Sequence, residues 1–406
     1  MRSARCYIHA VACIAVSISS HTACSGNSSP AAPSADSLFT SAYESWPNGP
    51  STEAAYFPLG VWVQSPANAA AYREIGINLY VGLWQGPTQQ QLDDLTAAGM
   101  QTICSLNAVG RRNLDNPTVV AWMHGDEPDN AQADGQGGWG DAVSPALIQA
   151  DYDSLRRVDR SRPIWLNLGQ GVANDEWVGR AAPREDYPGY VAGTDIVSFD
   201  VYPVAGIRKD DGERFLWYVA KGVDSLHVWS GGGKIVWNVI ETTRINADRG
   251  PTPEQVRSEV WMSIIHGSQG IVYFAHEWNP VFREARLLED EDMRLGVGLL
   301  NAQIHRLAPV LNASNGSVQV SVATDPSEIP VDVMVREVDG ELYIFAVSMR
   351  QGTTSATFSL SGDGEGTDEE GLFIEVIDED RSLQLAQGSF SDYFTPYEVH
   401  IYRLSR

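Results

Sequence analysis

Trp122-Met123-His124-Gly125-Asp126-Glu127-Pro128-Asp129-Asn130 is the stretch on which the reading of the whole chain turns. The apolar run that leads into it, residues 119–123, has the make-up of a buried strand. Pro128 ends that strand, because proline has no amide hydrogen to give a sheet ladder. Two carboxylates, Asp126 and Glu127, therefore stand just past the end of a buried strand. In a closed parallel barrel that is the rim on which reactive groups are carried. In other settings Asp beside Pro is an ordinary turn. What surrounds the stretch separates the two readings.

Seven further strands can be counted outward from it. Residues 59–63, 77–84 and 100–106 precede it, and 163–168, 195–201, 234–240 and 270–275 follow. Helix signals stand between them. Ser65-Pro66 and Ser144-Pro145 each set a capping residue before a proline at the first helical position. Thr88 caps a helix that ends near Gly99, and Thr252-Pro253-Glu254-Gln255 has the form of a capping box ahead of Val256, Val260 and Ile264. Leu147, Leu155 and Val158 share one side of the helix after the fourth strand. Phe215, Val219 and Val223 space out along the helix after the sixth, and a last helix covers residues 292–311. Eight strand–helix units over roughly 250 residues predict an α/β fold, a (β/α)8 TIM barrel. The rival doubly wound sheet lacks its Gly-rich fingerprint after the first strand. The loop 129–143 is long for a plain connection, and loops of that length usually serve a function.

From residue 313 the pattern changes to short alternating runs at 318–322, 331–335, 342–346, 373–377 and 399–401, with an acidic Gly-rich loop at 362–370. This predicts a small antiparallel β-sandwich over residues 313–406, behind a barrel over 51–312. At the other end, Arg2 and Arg5 precede an apolar core at residues 7–18, the layout of an export signal over residues 1–24 and too short to span a bilayer. Thr22-Ala23-Cys24-Ser25 resembles the cleavage box of bacterial lipoproteins, with His21 where that box usually has an aliphatic residue. The resemblance implies a lipid anchor at Cys24, the only membrane attachment expected, and a place in the periplasm or on the cell surface. Residues 25–50 read as a flexible tether.

A formal charge of −24 excludes the basic footprint that nucleic-acid binding needs. Of the four cysteines, Cys6, Cys13 and Cys24 fall in the leader, so no intrachain disulfide framework is available. Cys104, inside an apolar strand, reads as buried filler.

Glycosidic bonds are cleaved by two carboxyl groups that flank them. Glu127 follows the fourth strand, and Glu241, in Trp237-Asn238-Val239-Ile240-Glu241-Thr242, ends the seventh. A lone Glu at a strand end is often a solvated rim charge; two at these strands form a constellation. It resembles clan A of the glycoside hydrolases, the retaining (β/α)8 superfamily, whose fourth strand carries the acid/base in Asn-Glu-Pro and whose seventh carries the nucleophile. The resemblance implies Glu127 as acid/base and Glu241 as nucleophile. It extends to Asp195-Ile196-Val197-Ser198-Phe199-Asp200-Val201-Tyr202-Pro203, where the clan often has a Tyr or His on the nucleophile, which implies that role for Tyr202. It reaches Trp278, where the clan has an aromatic floor for the sugar. Asp126 stands where most members have an Asn that donates to a sugar hydroxyl. The implied activity is that of a retaining β-glycoside hydrolase on β-linked oligo- or polysaccharide of β-glucan or β-galactan type, working by double displacement without a cofactor. The alternative is a non-catalytic surface glycan-binding lipoprotein built on the same barrel.

Other polar and aromatic groups near strand ends carry two readings each. Trp84 and Trp62 stack on a sugar or fill the barrel; Asn107, Asn167 and Gln170 bond sugar hydroxyls or tie their own loops. His124 and His276 would need a converging carboxylate or a further His to hold a metal. The first strand also lacks the His-x-His of metal-dependent barrel hydrolases, so no metal is expected. No Ser or Cys nucleophile motif is present. The expected partner is carbohydrate, at a mouth where Glu127, Tyr202, Glu241 and Trp278 meet and residues 129–143 form part of the rim.

Overall fold

The computed structural model describes residues 39–177, 182–207, 211–362 and 372–405. The leader, Cys24, most of the tether and nearly all of the acidic loop lie outside the described residues.

Eight parallel strands close into a ring. They are β1 (Leu59–Trp62), β2 (Leu79–Val81), β3 (Gln101–Cys104), β4 (Val119–Met123), β5 (Ile164–Leu168), β6 (Ile196–Phe199), β7 in two pieces (Ile235–Val236 and Asn238–Glu241) and β8 (Ile271–Phe274). Neighbours in sequence are neighbours in space, and β8 pairs with both β1 and the second piece of β7. The first piece of β7 pairs with β6, and an isolated bridge from Asp200 to Val239 carries the seam upward. Each strand falls in a window marked by an apolar run between turn residues. Side chains alternate between two apolar layers. Trp62, Ile103, Trp165, Trp237 and Val272 fill the lumen, while Leu59, Trp122, Leu166 and Tyr273 face the helices.

The floor of the lumen is built partly by chain expected to belong to the tether. Tyr43, 5% exposed, joins the lumen cluster. Its hydroxyl accepts from the Trp237 indole at 3.0 Å and donates to the Gln269 carbonyl at 3.2 Å. Under β4, the buried Arg162 guanidinium donates to the carbonyls of Val119, Leu114 and Asn116 and pairs with Asp159 at 2.9 Å. The strand that leads to Asp126 and Glu127 is thereby pinned at its start.

The helices are α1 (Ala69–Glu74), α2 (Gln89–Ala98), α3 (Pro145–Val158), α4 (Tyr187–Ala192), α5 (Tyr218–Ser230), α6 (Pro253–Ile265), the short α7 (Arg286–Glu289) and α8 (Glu291–Leu311). Thr88 and Thr252 both make reciprocal capping boxes, with Gln91 and Gln255, and Gly99 closes α2 at φ 62. Two expectations are corrected. No α-helix follows β3, only a 3-10 turn at Gly110–Arg112; the Asn107 side chain accepts from the amides of Val109 and Gly110 and bends the chain there. On α3 the buried face is Ile148 and Leu155, and Leu147 is exposed. α6 is buried on nearly every side because it is covered twice, by the barrel and by the C-terminal domain, where Phe345 stacks on Trp261 at 5.5 Å.

That domain is an antiparallel sandwich. Strands β9 (Gln319–Asp325), β12 (Thr354–Ser361) and β15 (Ser389–Phe394) form one sheet, in the order β9-β12-β15. The other runs β10-β11-β16-β13-β14, from Val331–Val338, Glu341–Ser348, Val399–Ser405, Phe373–Val376 and Arg381–Gln384. Phe358 and Phe390 stack at 4.6 Å in the core between them, against Tyr402.

Candidate active site

The chain leaves β4 through Gly125 and Asp126 and turns sharply at Glu127, which sits at φ 42. Its amide donates to the Asn167 carbonyl at the end of β5. Two residues on, Asp129 is fully buried; its carboxylate accepts from the Gly169 amide and from the Tyr187 hydroxyl at 2.9 Å. Burial pushes Asp129 up to about 6, against the pull of the Gly169 amide. The Asp129 contacts bolt the β4 loop to the β5 loop. A Cβ on Gly169 would lie 2.6 Å from the Asn130 side-chain nitrogen and 3.0 Å from a Glu127 carboxylate oxygen, so a larger residue there would push both side chains aside.

Asn167 collects the polar groups of the mouth. Its amide nitrogen donates to Asp126 Oδ1 at 3.1 Å and to Asp200 Oδ1 at 3.4 Å, and its oxygen accepts from Ser198 at 2.8 Å. The carboxyls of Asp126 and Asp200 therefore lie no farther apart than those two bonds allow. Asp200 directly follows β6 and is 9% exposed. Burial first, then the charge of Glu127, hold Asp200 well above the usual carboxylate range. The surrounding protein and then the Glu127 charge also raise Asp126, to about 7. Its surface remains open to water, which screens part of that push.

An aromatic wall runs up from this cluster. Tyr202 lies 5.2 Å from Phe274, Phe274 stacks with Trp278 at 5.6 Å, and Trp278 meets Phe282 at 6.0 Å. Trp278 and Phe282 are 45% and 56% exposed. The loop 129–143 doubles back through a bridge between Ala133 and Trp139, and Gln132 donates to the carbonyl of Glu127. Glu127, Tyr202 and Trp278 are thus brought together.

Glu241 has different company. It is fully buried, and its two oxygens accept from the amides of Val204 and Ala205 at 2.7 Å each. Glu259 of α6 is equally buried, and neither of its carboxyl oxygens has a hydrogen-bond partner. Burial raises Glu241 to about 7 in spite of these donors, and Glu259 stands well above its ordinary value, from burial and then from the Glu241 charge. The expected contact of Tyr202 with Glu241 is corrected: both Glu241 oxygens are taken by amides of the turn just after Tyr202, and the Tyr202 ring packs on Phe274.

Two other expected sugar contacts are corrected. Trp62 is a lumen residue, 9% exposed and packed on Trp165 at 5.8 Å. Asn107 spends both ends of its amide on its own loop and on the Pro87 carbonyl. Trp84 is 72% exposed past the end of β2. His124 is held between Asp151 and the Gly193 carbonyl, and His276 between Gln64 and the Val63 carbonyl. Glu277, a third Glu at a strand end, is ion-paired to Arg244 and Arg286. Among the described residues no group of three His, Cys, Asp or Glu side chains is arranged to hold a metal. Burial pushes the Cys104 thiol up to about 12, which removes it as a nucleophile. The sequence pointed to none of Asp200, Glu259, Phe274 and Phe282. For Asp200 a signal existed, its two-residue spacing from Ser198 and Tyr202 along β6.

If the exposed indoles form a sugar platform, Trp278→Ala should weaken glycan binding about 5–20-fold and Trp84→Ala somewhat less. Titration calorimetry with a bound oligosaccharide reads this. Unchanged affinity in both variants would remove the platform.

No protein-family model matches the sequence, and no curated protein does. Solved structures do resemble it. One is a GH42 β-galactosidase, at a TM-score of 0.58 and 9% identity over 90% of this chain and 100% of that one. A catalytic mutant of a GH42 β-galactosidase from G. stearothermophilus gives 0.56 and 8% over 91% and 100%. An AmyP variant complexed with maltotriose gives 0.52 and 9% over 86% and 97%. The shared feature is the fold. This chain is a TIM barrel followed by a C-terminal β-sandwich.

Proposed function

We propose that this protein is an O-glycosyl hydrolase that cleaves β-linked oligo- or polysaccharide at the C-terminal mouth of its barrel. One observation carries the reading: Glu127 stands at that mouth with two further carboxyls, Asp126 and Asp200, both bonded to the Asn167 amide, beside an aromatic wall that ends in exposed Trp278. A glycosidase needs a carboxyl that gives a proton to the leaving oxygen and later takes one from water. Glu127 is that acid/base. The wall offers the flat surface on which apolar sugar faces stack, and a net-acidic mouth suits a neutral glycan.

Glu241 is the nucleophile of a retaining mechanism. The amides of Val204 and Ala205 favour its ionised form. Attack requires substrate to displace the Val204–Ala205 turn. A second reading is favoured by that same cover. Asp126 is open to solvent, adjoins Glu127 in the chain, and is linked to Asp200 through the Asn167 amide. Asp126 then supplies the second carboxylate. Export and a lipid anchor at Cys24 belong to the proposal, placing the activity outside the cytoplasm.

A panel of plant, algal and microbial β-glycans, β-glucans and β-galactans first, tests the reading by product release. Proton NMR of the first-formed anomer then decides stereochemistry. Retention is expected. Binding without release across the whole panel would instead establish the glycan-binding alternative.

A further inference from the structure

The hairpin that follows β8 carries different chemistry on its two sides. Glu277 and Arg283 close it, each amide donating to the other's carbonyl, at 3.0 and 2.8 Å. His276, Trp278 and Phe282 belong to the aromatic wall, with ring centroids 5.6–6.0 Å apart. Glu277 and Arg283 instead line a cavity of about 500 Å³, bounded by this hairpin, the loop after β7 and the start of α8. Three arginines line it, Arg244, Arg283 and Arg286, against two carboxyl residues, Glu277 and Asp290. Glu277, 5% exposed, lies 3.1 Å from Arg244 Nε and 3.4 Å from Arg286 Nε, and Asp290 accepts from Arg286 Nη2 at 2.8 Å. Arg283 pairs with Glu289, but both are nearly half exposed, so water screens that pair. A guanidinium has five N–H donors. Among the described residues no hydrogen bond uses Arg244 Nη1, Arg283 Nη2 or Arg286 Nη1. The three side chains are 25–48% exposed, open enough to meet a ligand and partly withdrawn from the water that would weaken their hold. In a chain of formal charge −24 this is a cationic recess.

We propose that the recess is a subsite for an anionic substituent on the glycan, a carboxylate or an ester sulfate, held by Arg244, Arg283 and Arg286. This rests on the reading of the mouth as a glycosidase site. The planar fork of arginine meets pairs of oxygens on either group. The loop after β7 is tied to the aromatic side of the same hairpin. The Trp278 amide donates to the Ile245 carbonyl at 2.9 Å, and Arg244 Nη2 donates to the Asn279 carbonyl. The hairpin thus borders both the stacking surface and the recess, and a sugar on Trp278 has the recess beside it for a neighbouring unit or a branch. Charge then sets the register. Asp126, Glu127 and Asp200 crowd the cleavage point with carboxyls, which disfavour an anionic sugar there. The recess accepts one next to it. The substrate class is a β-linked glycan in which neutral units, the ones cleaved, are mixed with charged ones.

Matched glycans test this in the full-length protein: a β-glucan against the same chain partly oxidised to carboxylate at C6, and a sulfated β-galactan against its desulfated form. Affinity is read by titration calorimetry, or as kcat/KM where the glycan is cleaved. At least one charged member should be preferred to its neutral partner by about 10-fold or more, and which pair shows it tells carboxylate from sulfate. Arg283→Gln should bring that ratio toward unity, and Arg283→Lys should recover part of it. Arg244→Gln should act the same way; if it fails to fold, Arg283→Gln, at a half-exposed position, still decides. Equal affinity within both pairs, absence of binding included, or a preference that survives Arg283→Gln, overturns the subsite. Charged glycans held through these arginines but never cleaved would keep the subsite and end the hydrolase reading. Cleavage of neutral and charged glycans alike would keep the hydrolase reading and end the subsite.

Discussion

Replacing Glu127 with Ala is expected to lower kcat/KM on natural glycosides by about 10²–10⁴-fold, while aryl glycosides with activated leaving groups lose far less. An activated leaving group departs without a proton, so only the second, water-dependent half of the reaction suffers. Azide, which needs no general base, should restore turnover and be trapped as the β-glycosyl azide. The same readout assigns the second carboxylate. If Glu241 is the nucleophile, Glu241→Ala stops both kinds of substrate, because no covalent intermediate forms, and azide gives the α-product. If Asp126 has that role, the α-azide comes from Asp126→Ala, and Glu241→Ala fails mainly through loss of the Val204–Ala205 turn. A Glu127→Ala enzyme that keeps near-native activity on poor leaving groups would end the acid/base assignment.

The second large effect concerns pH and stability. Asp129, Asp200, Glu241 and Glu259 all have folded-state values raised by burial. A carboxyl that binds its proton more tightly in the folded chain than in the unfolded one contributes stability that is complete below the unfolded value. That contribution is lost as pH rises through the folded value. His266, raised to about 9 by Asp224 and Asp332 against the opposing effect of burial, loses its contribution over the upper part of the same range. His276, lowered by burial, works in the other direction. Acids with lowered values, such as Asp159 and Asp392, lose theirs only as pH falls into the acid range. Stability should therefore peak on the acid side of neutrality, with Tm about 5–10 °C lower at pH 9 than at pH 6. Scanning calorimetry across that range reads it directly. Glu259→Gln, which has no proton to lose, should flatten the slope. A Tm that climbs from pH 6 to pH 9 would mean that these carboxyls are not held as described.

The barrel was legible because each of its strands is a short apolar run between residues that stop strands, as Val119 to Met123 is by Gly125 and Pro128. The missing helix after β3 was not, because the cause is one side chain, Asn107, bonding its own loop. Three sandwich strands were also missed. In Thr354–Ser361 the inward residues are Thr354, Ala356, Phe358 and Leu360, only three of them apolar and all set among Ser and Thr, so the alternation is faint. At the site, Glu127 was marked by Pro128, whereas Asp200 depends on convergence of β4, β5 and β6 through Asn167, which no local pattern records. Glu259 sits mid-helix, where sequence suggests a solvent face. It is buried because α6 is covered on both sides. Glu241 was found by its strand, but its cover comes from a turn 36 and 37 residues away in sequence.

The left-handed backbone at Glu127 has a bearing on how this protein ages in the hands of evolution or of an engineer. Holding a long side chain at φ 42, directly before a proline, costs about 1–3 kcal/mol that Gly or Asn at that place would largely recover. With Glu127 as the proposed acid/base, durability and chemistry pull in opposite directions at residue 127. A lineage chosen only for surviving heat or storage would drift toward a sturdier, silent barrel, and only selection that keeps asking for turnover would hold the glutamate in place.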